Sequence, residues 1–326
     1  MTGRVPGAKP PARSGRVALV LTVFNEGASL ASLLRSIERQ TRPPDEVVIC
    51  DAGSSDDTVS LIEAWRPPEP TRLRCLIEPG VNIAAGRNRA IAATSAPLIA
   101  VTDGGCELCD GWLEAICRPL EDRPDVSVVY GRTVPRGRSA LGRAFADLYS
   151  ARSDGGSGDI AMRSSRTVAF RRDAWAAVGG YPEQLELAGE DTLFFMDLER
   201  DFRVAEVPEA CVHWWHGMDS LGGVYRVHRR NAFGAGEASY WTGRFVLVAA
   251  AYAAALGAAG SRRLAPGARW LPLAAIGARD LPRIYRTTRR SRSLAMAGPL
   301  TFARDLGLLV GHARGLREYF RRRLRA

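Results

Sequence analysis

The chain reads as an α/β domain on a mostly parallel sheet, followed by a helical, partly hydrophobic C-terminal extension. Two features of residues 16–103 predict the sheet: short apolar runs alternate with segments of helical spacing, and each run ends on a polar or acidic loop. Arg16-Val17-Ala18-Leu19-Val20-Leu21-Thr22-Val23-Phe24 is continuous enough for a strand buried on both faces. Asn25-Glu26-Gly27 breaks it, and from Ser29 to Arg39 the apolar positions Leu30, Leu33, Leu34 and Ile37 fall on one helical face. Pro43-Pro44 ends that helix. Glu46 to Cys50 is a second strand, running into Asp51-Ala52-Gly53-Ser54-Ser55-Asp56-Asp57-Thr58, and the next helix starts near Thr58 and ends before Pro67. Leu73 to Ile77 makes a third strand, a helix covers Ile83 to Thr94, and Pro97 to Val101 is a fourth strand closed by Thr102-Asp103. In such a sheet ligands bind at the strand C-termini, so these loops should converge on one edge. Asp51 and Asp103, each closing an apolar strand, are the functional candidates, whereas Ser55, Asp56 and Asp57 suit helix capping equally well.

Composition narrows the function classes. With 326 residues, 46% hydrophobic and 25% charged, the chain is globular, and wholesale disorder is excluded. No uncharged apolar run reaches the roughly eighteen residues of a membrane-spanning helix. The net charge of +10 is unevenly placed: residues 261–326 hold 16 Arg against Asp280, Asp305 and Glu318. Everything before is slightly acidic, so the basic tail suits an anionic membrane surface, and no nucleic-acid partner is expected. The single lysine, Lys9, reflects genome composition. Six cysteines lack a framework spacing; Cys106 and Cys109 form a lone CxxC with no second pair, so reduced thiols in a cytosolic protein are expected. Residues 1–15 lack an apolar core and read as a disordered lead-in rather than a signal peptide. Neither GxGxxG nor GxxxxGK[ST] follows the first strand, which disfavours hydride-transfer enzymes and P-loop NTPases.

Further motifs follow in order. Ala85-Gly86-Arg87-Asn88-Arg89-Ala90-Ile91 and Thr102-Asp103-Gly104-Gly105 come first. Val168-Ala169-Phe170-Arg171-Arg172, Val178-Gly179-Gly180-Tyr181 and Gly189-Glu190-Asp191-Thr192 follow. With Thr22-Val23-Phe24-Asn25-Glu26 and the Asp51–Thr58 loop, this series resembles the family 2 glycosyltransferases, inverting enzymes of the GT-A nucleotide-diphospho-sugar transferase fold. The resemblance spans residues 16–235. It implies a donor site at Thr22, Phe24, Asn25, Glu26, Asp51, Arg87 and Asp103, with Glu26 accepting from hydroxyls and Asp51 from the base imide of a UDP- or dTDP-sugar. Arg87 can bridge diphosphate oxygens or pair with an acidic loop. Asp103 matches the first acid of the family's DxD motif, which holds Mg or Mn. The second acid is replaced by Gly105, and Glu107 stands at the wrong spacing, so the resemblance leaves His213 or His216 to complete a metal sphere. Asp191 is implied as general base, within about 2.6–3.2 Å of the acceptor hydroxyl, with Glu190 tuning it. Both acids also suit an N-cap of the apolar helix Thr192 to Leu198.

Gly155 to Asp159 is expected to be a loop over the acceptor site or a plain surface loop, and Val212-His213-Trp214-Trp215-His216 offers aromatics either for a sugar or lipid acceptor or for a core-and-interface role. After residue 235 the character changes. Phe245 to Gly260 is an uncharged run of 16 residues, about 24 Å as a helix. Leu264 to Ile276 and Gly298 to Val310 are further apolar stretches, and Arg321-Arg322-Arg323 lies near the end. Residues 236–326 are expected to form helices lying on the cytoplasmic membrane face, or else a soluble helical cap. The leading function is transfer of a sugar to a glycan or lipid-linked acceptor of the cell envelope. The competing class is a non-catalytic nucleotide-sugar-binding protein, kept open by the absent second acid. A nucleotidyltransferase would want a Gly-rich, basic loop after the first strand, which Asn25-Glu26-Gly27 does not supply.

Overall fold

The computed structural model describes residues 15–153, 163–185, 187–288 and 290–324. The expected lead-in, apart from Gly15, and the Gly155–Asp159 loop lie outside them. The first half alternates as read: β1 (Val17–Val23), α1 (Gly27–Glu38), β2 (Glu46–Asp51), α2 (Thr58–Ala64), β3 (Arg72–Ile77), α3 (Ile83–Ala92) and β4 (Leu98–Val101). Then come β5 (Cys106–Leu108), α4 (Trp112–Asp122), β6 (Val126–Arg136), α5 (Ala140–Ser153), β7 (Val168–Arg171), α6 (Arg172–Ala177), α7 (Glu190–Asp201) and β8 (Arg203–Trp215). Five further helices end the chain: α8 (Leu221–Glu237), α9 (Thr242–Gly260), α10 (Leu271–Ala278), α11 (Leu281–Thr287) and α12 (Ser291–Arg323).

All eight strands join one mixed sheet in the order β3-β2-β1-β4-β7-β6-β8-β5. β1 pairs in parallel with β2 and β4, β7 is antiparallel to β4 and β6, and β8 runs parallel to β6. The alternation along β1 explains its unbroken apolarity. Val17, Leu19, Leu21 and Val23 pack with Leu33 and Ile37 of α1 and Trp112 of α4, while Ala18 and Val20 face Ala84 and Ile91 of α3 and Phe195 of α7. Both faces are therefore covered, and the C-terminal rim is where such a sheet takes a ligand.

The cysteine expectation is corrected. Cys109 and Cys211 form a disulfide with their Cα atoms 5.7 Å apart, which staples the segment after β5 to β8. The CxxC spacing concealed this, because the partner comes from a distant strand and not from Cys106. Cys50, Cys106 and Cys117 remain buried thiols.

α8, which ends near the boundary expected at residue 235, lies along α12. Gly307, Gly311 and Gly315 repeat every four residues and form one stripe on α12. A Cβ at Gly311 would stand 2.1 Å from the carbonyl oxygen of Arg229, and one at Gly315 2.0 Å from that of Phe233. Only glycine lets the two backbones approach so closely. α9 differs: it starts at Thr242 and has 19 residues, about 28 Å, with an apolar window of mean hydropathy 1.5 of which 6% is buried. The 16-residue apolar run is thus extended by a turn that includes Arg244, and by length and composition both α9 and α12 could cross a membrane.

Gly311→Ala should force the α8–α12 seam apart and lower stability by about 1–3 kcal/mol, the usual cost of overpacking. Gly257→Ala on α9, where an added Cβ meets nothing within 4 Å, should be neutral or stabilising. Thermal unfolding of the two variants checks the contrast.

Candidate active site

The loop after β1 is held by side chains from the loop after β2. Asn25 adopts a positive φ of 55°; its N–H donates to Ser54 Oγ at 2.8 Å and its Oδ1 accepts from the Ser55 N–H at 2.8 Å. The Glu26 N–H donates to Thr58 Oγ1 at 2.8 Å, and the Glu26 carboxylate accepts from the Ser29 hydroxyl. Burial raises the Glu26 pKa above its ordinary value; the Ser29 bond opposes this, and the charges of Asp103 and Asp56 add to it. Its Cγ lies where a Cβ on Gly104 would come within 2.8 Å, so Gly104 lets the β1 and β4 loops meet. Phe24 is 59% exposed at the strand end. Thr22 Oγ1 is buried without a hydrogen-bond partner.

Asp51 departs from expectation. It is fully buried, and Oδ1 accepts from the N–H groups of Gly53 and Ser54 at 2.9 Å each while Oδ2 accepts from the Ser54 hydroxyl. The carboxylate expected to meet a base imide is turned into its own loop, because the strand ends in a tight turn whose amides need an acceptor.

Arg87 shows the second of its two expected behaviours. It is 1% exposed, and its guanidinium donates to Asp103 Oδ1 at 2.7 Å and to Glu190 Oε1 at 2.8 Å. Burial works against its charge, but Asp103 and Glu190 outweigh that and raise its pKa. Beside it Asn88 holds the Gly179-Gly180-Tyr181 turn, with Nδ2 donating to the Tyr181 carbonyl at 2.8 Å and Oδ1 accepting from the Tyr181 N–H at 2.9 Å. The Tyr181 ring then lies 5.3 Å from the Arg87 guanidinium.

Glu190 and Asp191 open α7, in its first turn rather than as its cap. The cap is Gly189 at φ 96°, where a Cβ would stand 2.9 Å from the Tyr240 hydroxyl. Asp191 Oδ1 accepts from the Thr192 N–H at 2.9 Å. Its pKa is raised to about 6 by burial and by the charge of Glu190, with Arg87 and Arg166 pulling the other way. Asp191, Glu190, Asp103 and Arg87 all line one cavity of about 350 Å³, together with Arg166 and Trp214.

Sequence reasoning missed Arg166. Its Nε lies 3.9 Å from Asp103 Oδ2, and its guanidinium sits 3.7 Å above the Trp214 ring. No motif marks it; the only clue is its place just before the strand Val168–Arg171 that pairs with β4.

The histidines do not complete a metal site. His216 Nδ1 accepts from the Met218 N–H at 2.9 Å, so Nε2 carries the proton and donates to the Gly142 carbonyl at 3.1 Å. His213 pairs in register with Glu107, its Nε2 4.0 Å from Cys109 Sγ, and burial lowers its pKa. Glu107 itself pairs with Arg39 at 3.2 Å. Among the described residues no group of three or more His, Cys, Asp or Glu could hold a metal ion. Asp103, the remaining candidate ligand, lies between two guanidiniums. This donor set does not fit a divalent cation. Of the aromatic–imidazole segment, Trp214 reaches the cavity.

The family model for Glycosyl transferase family 2 matches residues 18–178. The protein carries a family 2 glycosyltransferase domain. It is similar to the O-antigen chain rhamnosyltransferase RfbN of Salmonella typhimurium, with 26% identity over 213 residues, 62% of this chain and 67% of the relative. Glycosyltransferase AglE of Haloferax volcanii is 28% identical over 185 residues, and the match spans 53% of this chain and 58% of the relative. The mannosyltransferase PcManGT from Pyrobaculum calidifontis, solved with GDP-Man and Mn2+, superposes with a TM-score of 0.54 at 15% identity, covering 95% of this chain and 89% of that one. The glycosyltransferase therefore has the GT-A fold, and the likeness extends through the C-terminal helices.

Arg87→Ala should orphan two carboxylates and destabilise the enzyme by about 3–5 kcal/mol in urea unfolding, and Glu190→Gln added to it should recover part of the loss. A Cβ at Gly105 would meet only the Trp215 carbonyl, at 3.9 Å. Gly105→Asp should therefore fold normally and, by adding the second acid, bind Mn2+ at least tenfold more tightly in calorimetry.

Proposed function

We propose that this glycosyltransferase moves a sugar from a nucleotide-diphospho-sugar to an acceptor hydroxyl in one inverting displacement, with Asp191 as general base. The observation that carries the reading is the environment of Asp191: a carboxylate of raised pKa at the start of α7, lining the same cavity as Asp103, Arg87 and Arg166. A base of this kind is deprotonated at neutral pH yet holds a proton better than an ordinary aspartate. Asp191 takes the proton of the acceptor hydroxyl as its oxygen attacks the anomeric carbon. The bond to the diphosphate breaks on the opposite face, and its electron pair leaves with the diphosphate.

Phe24, Asn25 and Glu26 bind the base and ribose at the end of β1, on a loop that Asp51 orders from beneath. Asp103 marks the inner end of the donor site, and Arg166 is the guanidinium closest to hand for diphosphate charge. A UDP- or dTDP-sugar is the favoured donor, and a glycan or lipid-linked acceptor of cell-envelope polysaccharide the favoured acceptor. RfbN, an O-antigen chain enzyme by its name, supports that direction. The exposed α9 and the arginines of the C-terminal region support work at an anionic membrane surface on the cytoplasmic side. The non-catalytic alternative is not favoured, since Arg87, Glu190 and Asp191 are fully assembled.

With wild-type enzyme, kcat/KM should fall about tenfold per pH unit below the Asp191 pKa of about 6, because the base form is lost as pH drops through it. Asp191→Asn should fold, bind nucleotide as before and lose roughly 10²–10⁴ in kcat, with that acid limb absent. Wild-type transfer by the variant would remove Asp191 from the mechanism.

A further inference from the structure

The cavity that holds Asp191 continues to α8 and α9. Ile83 and Leu187 line it from the transferase side, and Trp241, Phe245 and Val248 line it from the α9 side. α9 carries this apolar lining into solvent: Leu247 is 73% exposed and Leu256 61%. A bare apolar helix that also walls an active centre is suited to an apolar ligand that reaches the centre from a membrane.

The charges of the cavity sort by position. Among the described residues its acids are Asp103, Glu190 and Asp191, those of the proposed catalytic centre. Of the six arginines that line it, Arg87 and Arg166 face Asp103, Arg163 pairs with Glu199 and Glu206, and Arg304 pairs with Asp280 at 3.0 Å and Asp305 at 3.1 Å. Arg230, on α8, and Arg244, in the first turn of α9, are exposed and have no hydrogen-bond or ion-pair partner among the described residues. Two uncompensated guanidiniums beside an apolar helix, with no acid among the described lining residues on that side of the cavity, match a phosphate joined to a hydrocarbon chain.

We infer that the acceptor is carried on a lipid phosphate or diphosphate. Arg230 and Arg244 hold the phosphate, α9 receives the hydrocarbon chain, and the acceptor sugar extends along the cavity until its hydroxyl meets Asp191. The inference rests on the transferase reading for the last of these steps only; the lipid-phosphate seat stands on its own lining.

The test is calorimetric binding to the full chain, with a nucleoside diphosphate saturating the donor site, and with farnesyl diphosphate as probe below its micelle concentration. Farnesyl diphosphate should bind, and the Arg230→Ala/Arg244→Ala double variant should bind it at least tenfold more weakly while its nucleotide affinity stays unchanged. Val248→Glu should weaken it as well. Inorganic diphosphate binding as tightly as the probe would overturn the lipid part, and farnesol binding as tightly would overturn the anion seat. Equal affinity of wild type and double variant would overturn the site altogether. No sugar is transferred in this experiment, so its failure is separate from failure of Asp191 as the base.

Discussion

Arg87 sits at 1% exposure with a carboxylate from the end of β4 on one side of its guanidinium and a carboxylate from the start of α7 on the other. The two acids come from distant parts of the chain, and nothing in their local sequences aligns them. A buried ion triad of this kind adds little net stability over an apolar replacement, but it tolerates only one arrangement, since any shift leaves a charge unpaired in a dry site. Its consequence is positional: Asp103 and Asp191 end on the same cavity because Arg87 ties their loops together. Glu190 is then better described as the anchor of Asp191 than as a second catalytic acid, although its charge also raises the Asp191 pKa.

A second constraint brings the C-terminal helices to the site. Gly189 precedes α7 in a left-handed conformation, and a Cβ on Gly234 of α8 would stand 1.6 Å from the carbonyl oxygen of Ala188. α8 is thus pressed against the loop that leads into Glu190-Asp191, and the glycine stripe of α12 presses against α8 in turn. The chain of close backbone contacts runs from α12 through α8 to the turn that opens α7. The helical layer therefore walls the cavity that Asp103 and Asp191 line, through residues of α8, α9 and α12.

The first half of the fold was legible because parallel strands buried on both faces leave a local trace, and β1 to β4 fall within a residue or so of where the apolar runs place them. The second half was not. β5 has three residues, β8 pairs with both β5 and β6, and the partners of β7 are named only by the sheet. The site divides in the same way. The motifs of Asp103, at a strand end, and of Glu190 and Asp191, at a helix start, were visible in the sequence, and the fold brings these three to one cavity; the pairing of Arg87 with acids was one of two alternatives the sequence left open. Arg166 and the Cys109–Cys211 disulfide depend on pairing across the sheet, which leaves no spacing to read. His213 misled because a histidine near the end of a strand looks like a ligand until the strand's register directs it toward Glu107 and Cys109.

The missing acid at Gly105 gains a physical setting from these neighbours. In a site that relies on two carboxylates and a cation, the cation offsets both the acids and the leaving diphosphate. Here the single acid Asp103 already has Arg87 on one oxygen and Arg166 near the other, so positive charge is supplied by the chain itself. A second aspartate at Gly105 would find room beside the Trp215 carbonyl, so its absence is not forced by packing. What the arrangement favours instead is a fixed guanidinium at the inner end of the donor site. Arg166 is held over Trp214 and beside Asp103, and both Arg166 and the indole line the cavity. On the proposed reading, donor charge and acceptor wall meet on this one cation–π pair, in the cavity that Asp191 also lines.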